Sequence, residues 1–281
     1  MKAHWTHRVL LGLLAGPLIF FGAPLTPAMA DGGFLLGGTA QLAQDPENPA
    51  NDVIKIDTTA GFNPITGTFP SGTVSRTLNV KIDQLDNMLE FKAFFVAPKT
   101  CIGGSPRIQL AIDLDGDGQP DGNAFGNFGP GPFGTGCPSG GIWHYEDLTD
   151  LAPRWDVTQL IGPGEIPTPL PGNVNPFLVP WPLLEMLVGS FPNHRVCTAA
   201  LVDDTFFPAG PNPMSGIAFY DLFSAGRETW TDRSDIAGRG FAMGCGRRDD
   251  DDVEHAGDND HDHDVDDDDD HFDKNRREHL N

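Results

Sequence analysis

Over residues 73–95 apolar and polar side chains alternate, and this period of two constrains the fold more than any other feature of the chain. Val74, Leu78, Val80 and Ile82 oppose Thr73, Ser75, Thr77, Asn79 and Lys81, with Arg76 interrupting the apolar row. Successive side chains of a strand point to opposite sides, so the pattern suits a strand with one buried face. Beyond Asp86-Asn87, Leu89, Phe91, Ala93 and Phe95 alternate with Glu90, Lys92 and Phe94. The two segments are therefore expected to pair as an antiparallel hairpin.

Shorter strand signals lie at 53–56, 107–112, 142–145, 196–202 and 216–223, each bounded by Gly, Pro, Asn or Asp. The 34 glycines and 25 prolines break long helices and supply turns. The expected fold is all-β, a sandwich or jelly-roll-like body with long Gly/Pro loops. One short helix is expected over 180–191, where Pro182 suits a first turn, Leu183, Leu184, Leu187 and Val188 share a face, and Gly189 ends it. Residues 162–182 read as an extended surface connector, and 122–141 as a loop pinned by Phe125, Phe128 and Phe133.

The two ends have their own character. Lys2, His4, His7 and Arg8 precede an apolar run over 9–21, and Ala28-Met29-Ala30 offers the small residues a signal peptidase needs. Residues 1–30 are read as a cleavable signal peptide, giving a secreted or extracellular product, periplasmic in a Gram-negative cell, with no membrane anchor. Residues 31–246 make one domain. Residues 247–281 hold sixteen acids, five bases and five histidines, a composition expected to stay disordered. Within it His255, His261, His263 and His271 are weak ligands for divalent cations.

Forty acidic residues against 18 basic ones give a net charge of −22, which attracts cations and repels polyanions. Nucleic acid is excluded as a partner, since phosphate neutralisation needs clustered Lys and Arg. Cys101, Cys137, Cys197 and Cys245 form an even set, which favours two disulfides in an oxidising compartment. Of three connectivities, Cys101 with Cys137 and Cys197 with Cys245 is preferred, because each pair brackets one turn-rich excursion.

The strongest chemical signal is Asp113-Leu114-Asp115-Gly116-Asp117-Gly118-Gln119-Pro120-Asp121. Alternate carboxylates at Asp113, Asp115 and Asp117 converge on one hard cation once the backbone curls, and Gly118 permits the turn. Oxygen donors select calcium or magnesium over zinc, and a flexible acidic loop favours calcium because magnesium demands octahedral order. In the register of an EF-hand loop, Gln119 gives its main-chain carbonyl and Asp121 stands ninth. The twelfth position is Ala124 in place of the bidentate Glu, and Ile108, Leu110 and Ile112 precede the loop with the alternation of a strand. The loop resembles the D-x-D-x-D-G calcium loops of thrombospondin type 3 repeats and dockerins, in a single copy. That resemblance implies an exported protein stabilised by calcium. Residues 216–223 resemble the last strand of secreted jelly-roll modules, which implies carbohydrate and calcium binding.

Trp143, Tyr145 and Trp155 stand among Glu146, Asp147 and Asp150, a mixture suited to stacking on sugar rings, although core packing accounts equally for Trp143 and Trp155. Glu146 and Asp150 are a candidate carboxylate pair for glycoside hydrolysis. No G-x-S-x-G elbow occurs, and paired cysteines leave no thiol nucleophile. The leading expectation is a secreted, calcium-binding, non-catalytic binding or structural module, directed at a polysaccharide or a cell-surface or matrix component. The alternatives are a polysaccharide-acting hydrolase and a metal-sequestering protein working through its Asp/His tail.

Overall fold

Alternation and turn density produce two stacked sheets. The computed structural model describes residues 33–60, 68–85, 88–101, 105–129, 137, 140–162, 165–204, 215–242 and 244–245. In chain order the elements are β1 (Phe34–Gly38), β2 (Gln41–Gln44), β3 (Asp52–Asp57), β4 (Ser71–Val80), β5 (Leu89–Phe95), β6 (Arg107–Asp113), β7 (Gly122–Asn127), β8 (Trp143–Asp147) and β9 (Trp155–Asp156). Then follow α1 (Trp181–Gly189), β10 (Arg195–Asp204), β11 (Ile217–Ala225), β12 (Glu228–Thr229) and β13 (Ile236–Arg239). One sheet has seven strands in the order β13-β1-β4-β10-β6-β7-β9; the other has six, β2-β3-β11-β5-β8 with β12 paired to β11. These residues belong to one compact unit reaching Gly246.

The core lies between the sheets. Val74, Ile108 and Leu110 from the first pack with Ile54, Ile56, Phe91, Phe95 and Tyr220 from the second, all fully buried. Phe34 and Phe223 meet across the gap with ring centroids 5.6 Å apart. Each such apolar side chain contributes roughly 1.5–3 kcal/mol by leaving water.

The expected hairpin does not form. β4 pairs with β1 and β10, whereas β5 pairs with β11 and β8 in the other sheet. Between them a single 3₁₀ turn, Ile82–Leu85, buries Ile82 and Leu85 and carries the chain from one sheet to the other. Burial of both turn residues anchors the crossover in the core, where a hairpin would have left them on an edge.

Residues 122–127, expected as loop, form β7 and pair antiparallel with β6. Glycine and asparagine give this strand little intrinsic preference. Its packing explains it: a Cβ on Gly126 would stand 2.8 Å from the Trp155 ring, so the missing side chain lets the indole lie on the strand. Phe128 is buried, with ring centroids 5.2 Å from Phe91 and 5.7 Å from Phe95. Phe125 sits under the Arg107 guanidinium at 5.5 Å, and Phe133 lies outside the described residues.

The helix forms where expected, with Trp181, Leu184, Leu187 and Val188 buried and Pro182 in its first turn. Its Trp181 packs on Trp155 at 5.3 Å. The proline-rich connector is mostly exposed, but Ile166, Leu170 and Val179 fasten it to the core. Both expected disulfides are present, Cys101–Cys137 and Cys197–Cys245. Among the described residues no helix is long and apolar enough to cross a membrane.

Candidate metal centre

The acidic loop joins β6 to β7 and is folded by its own carboxylates. Asp113 ends β6 opposite Arg195 of β10 and is buried, while Asp115, Asp117 and Asp121 are exposed. Asp113 accepts from Gly116 N–H at 2.6 Å and Gly118 N–H at 2.9 Å. Asp115 accepts from Asp117 N–H at 3.0 Å, and Asp117 from Gln119 N–H at 2.7 Å. Gly116 and Gly118 take φ of +83° and +87°, a left-handed backbone that glycine adopts without strain. Gly116 is doubly required, since a Cβ there would meet Asn193 Cβ at 2.8 Å.

This curl brings one carboxylate oxygen from each of Asp113, Asp115 and Asp117 within 4.8 Å of one another. Two oxygens on one calcium at about 2.4 Å can be separated by no more than about 4.8 Å, so the three fit one ion. No ion pair among the described residues neutralises them. Asp121 is engaged differently: its Oδ2 accepts from Leu114 N–H at 2.6 Å, and its own N–H donates to Ile112 O at 2.8 Å. It closes the base of the loop and does not join the three. Gln119 is exposed beside them.

A second group joins Asp113 to Cys197 and Cys245. Those sulfurs are bonded to each other and offer no thiolate.

No protein-family profile, curated protein or solved structure matches the chain.

The aromatic candidates separate. Trp155 is fully buried, with its Nε1 donating to Leu148 O at 2.8 Å, so it belongs to the core and cannot stack on a ligand. Tyr145 is 55% exposed and donates through its hydroxyl to Glu90. Trp143 is half-buried, packs on Phe94 at 5.6 Å and donates from Nε1 to Asp45 at 3.2 Å. Phe94 in turn meets Phe219 at 6.1 Å. Ala93, Phe95, Ala218 and Tyr220 on the same strands face the core, so Trp143, Phe94 and Phe219 occupy the opposite face of the six-stranded sheet. Asn51 donates to both Asp45 and Asp221 there, each at 3.3 Å. Burial raises the Asp221 carboxyl above its ordinary value, and the charge of Asp45 adds to the rise.

Glu146 and Asp150 are held by one buried cation. Arg154 Nη1 lies 2.6 Å from Glu146 and Nη2 2.7 Å from Asp150. The guanidinium fills the space between the carboxylates that a glycosidic bond would need. The tail histidines His255, His261, His263 and His271 lie outside the described residues.

One interior group escaped sequence reasoning. Lys99 Nζ lies 2.9 Å from Asp203 Oδ1, and neither residue reaches solvent. Ser105 and Tyr220 hydroxyls also donate to Asp203, at 3.0 Å and 2.7 Å, and Lys99 donates to Thr58 Oγ1 at 3.1 Å. The signal was the pair Asp203-Asp204 closing an apolar strand; Asp204 takes a bidentate Arg107 at 3.1 and 2.9 Å.

Proposed function

We propose that the chain is an exported, calcium-stabilised β-sandwich acting as a non-catalytic binding or structural module outside the cytoplasm. The observation that carries the reading is the convergence of Asp113, Asp115 and Asp117 within 4.8 Å on a loop held between two paired strands. Calcium is the favoured ion because every donor is oxygen and the loop is short and glycine-jointed. Two disulfides and the apolar leader at residues 9–21 support an oxidising address. In near-millimolar extracellular calcium such a loop stays filled, so its role is to stabilise and not to switch.

Melting curves in calcium and in chelator test the reading. At a hundredfold excess over Kd a bound ion adds about 2.7 kcal/mol, or about 5–10 °C for a body of this size. Asp115→Ala with Asp117→Ala should erase the rise. Equal curves for the wild-type protein would overturn the assignment. Deleting residues 247–281 should leave the rise intact; loss of most divalent uptake on deletion would favour the metal-sequestering tail.

The exposed Tyr145 beside half-buried Trp143 supports a polysaccharide or matrix glycan as the bound partner, since aromatic faces and neighbouring carboxylates suit sugar rings. A glycan array read with a reducing-sugar assay separates the functions. Binding weakened by Tyr145→Ala, without sugar release, is expected. Release abolished by Glu146→Gln would establish the hydrolase instead.

A further inference from the structure

Arg76, the residue that breaks the apolar row of β4, lines an opening between the two sheets. It is 9% exposed and lies over the Phe34 ring at 5.7 Å. Its Nη2 pairs with Glu228, yet its buried Nε has no hydrogen-bond acceptor among the described residues. A guanidinium edge presents two parallel donors, and here only one is used. Leaving the other buried and unsatisfied is costly unless something else completes the edge.

Arg76 also lines a cavity of about 310 Å³, together with Leu78, Val80, Gln84, Arg227 and Glu228 among others. Leu78 and Val80 give it an apolar wall that the core only partly covers. Arg227 puts a second guanidinium-bearing residue on the same cavity. Glu228 is 54% exposed at its side chain and sits at the β11–β12 turn, so it can swing into water without disturbing the core.

We propose that this cavity binds a small organic carboxylate with an apolar body. The ligand carboxylate takes Nε and Nη2 of Arg76 together, in the bidentate geometry Glu228 does not achieve, and releases Glu228 to solvent. The apolar body lies along Leu78 and Val80. Glu228 is then a built-in competitor that satisfies part of the arginine while the site is empty. The volume, near the lower bound of ligand pockets, limits the guest to a few carbons beyond the carboxylate. The site is independent of the acidic loop and of the aromatic face.

Calorimetric titration of the full chain with hexanoate, hexanol and inorganic phosphate tests this. Hexanoate should bind in the millimolar range or better, while hexanol and phosphate should not. Glu228→Ala should tighten hexanoate about tenfold, and Arg76→Lys, which keeps the charge but loses the fork, should weaken it about tenfold. Leu78→Trp, which fills the cavity from its apolar wall, gives a second blocking variant should Arg76→Lys fail to fold. Absence of hexanoate binding in both the wild-type and Glu228→Ala proteins overturns the proposal. So does binding that Leu78→Trp and Arg76→Lys leave unchanged, or equal binding of phosphate.

Discussion

Cys245 Sγ lies 3.8 Å from Asp113 Oδ2, so the second disulfide abuts the buried end of the acidic loop. Its partner Cys197 stands in β10, the strand that pairs with β6 below that loop. The bridge spans 48 residues, and closing a loop of that length stabilises the fold by about 4 kcal/mol. Cys197→Ala with Cys245→Ala should lose about that much in urea unfolding and also weaken the proposed calcium binding, because Asp113 loses a wall. Unchanged calcium affinity would mean that the loop's own hydrogen bonds suffice to shape it.

The Lys99–Asp203 pair gives a sharper stability test. Removing one member of a buried ion pair leaves the other uncompensated, at a cost of about 3–5 kcal/mol. Asp203→Asn should show this loss by chemical denaturation, and adding Lys99→Met should recover a large part of it. If the double variant is no better than the single, the network around Thr58, Ser105 and Tyr220 carries the stability instead.

Titration of Tyr220 reports the same region. The chain has two tyrosines. Tyr145 is pushed up to about 12, first by its hydrogen bond to Glu90 and then by burial. Tyr220 is held well above the ordinary 10.0 by burial and by the charge of Asp203. Below pH 10 both folded and unfolded states keep the Tyr220 proton and its contribution is complete. Above that value the unfolded chain loses the proton first, so stability falls as pH rises. Tyrosinate absorbance should stay near zero at pH 10 in the folded protein, and Tyr220→Phe should flatten the alkaline decline in stability. A folded-state transition centred on 10.0 would contradict the burial of Tyr220.

Gly126→Ala places a methyl against Trp155, where the clearance to a Cβ is 2.8 Å. Overpacking of this kind costs about 1–3 kcal/mol. The melting temperature should fall and the Trp155 fluorescence should shift as the indole leaves β7. Gly118→Ala, with open space around it, should be felt only through its φ of +87° and only in the loop.

What could be read from the sequence follows the range of the forces involved. The acidic loop was legible because Asp113, Asp115 and Asp117 lie within one turn of chain and act locally. The helix at Trp181–Gly189 and the strands with alternating residues were legible for the same reason. Pairing was not. The alternation of β4 and β5 fixes which side chains are buried but not which neighbour covers them, and the buried turn through Ile82 and Leu85 decided it. β7 was hidden because Gly126 serves a distant indole and not its own preference. Lys99 and Asp203 were hidden because a charged side chain reads as solvent-facing until its partner is known. Trp143 and Trp155 have the same chemistry and both stand on edge strands, and only the face of the sheet that each takes distinguishes surface from core.

β1 pairs in parallel with β13, Phe34 opposite Ile236 and Leu36 opposite Arg239. The first strand of the body thus has its outer edge covered by the last. A chain emerging in order, from a ribosome or through an export channel, must hold that edge bare until almost the whole body has passed. The seven-stranded sheet is therefore closed late, only once residues 236–239 are free to lie beside β1.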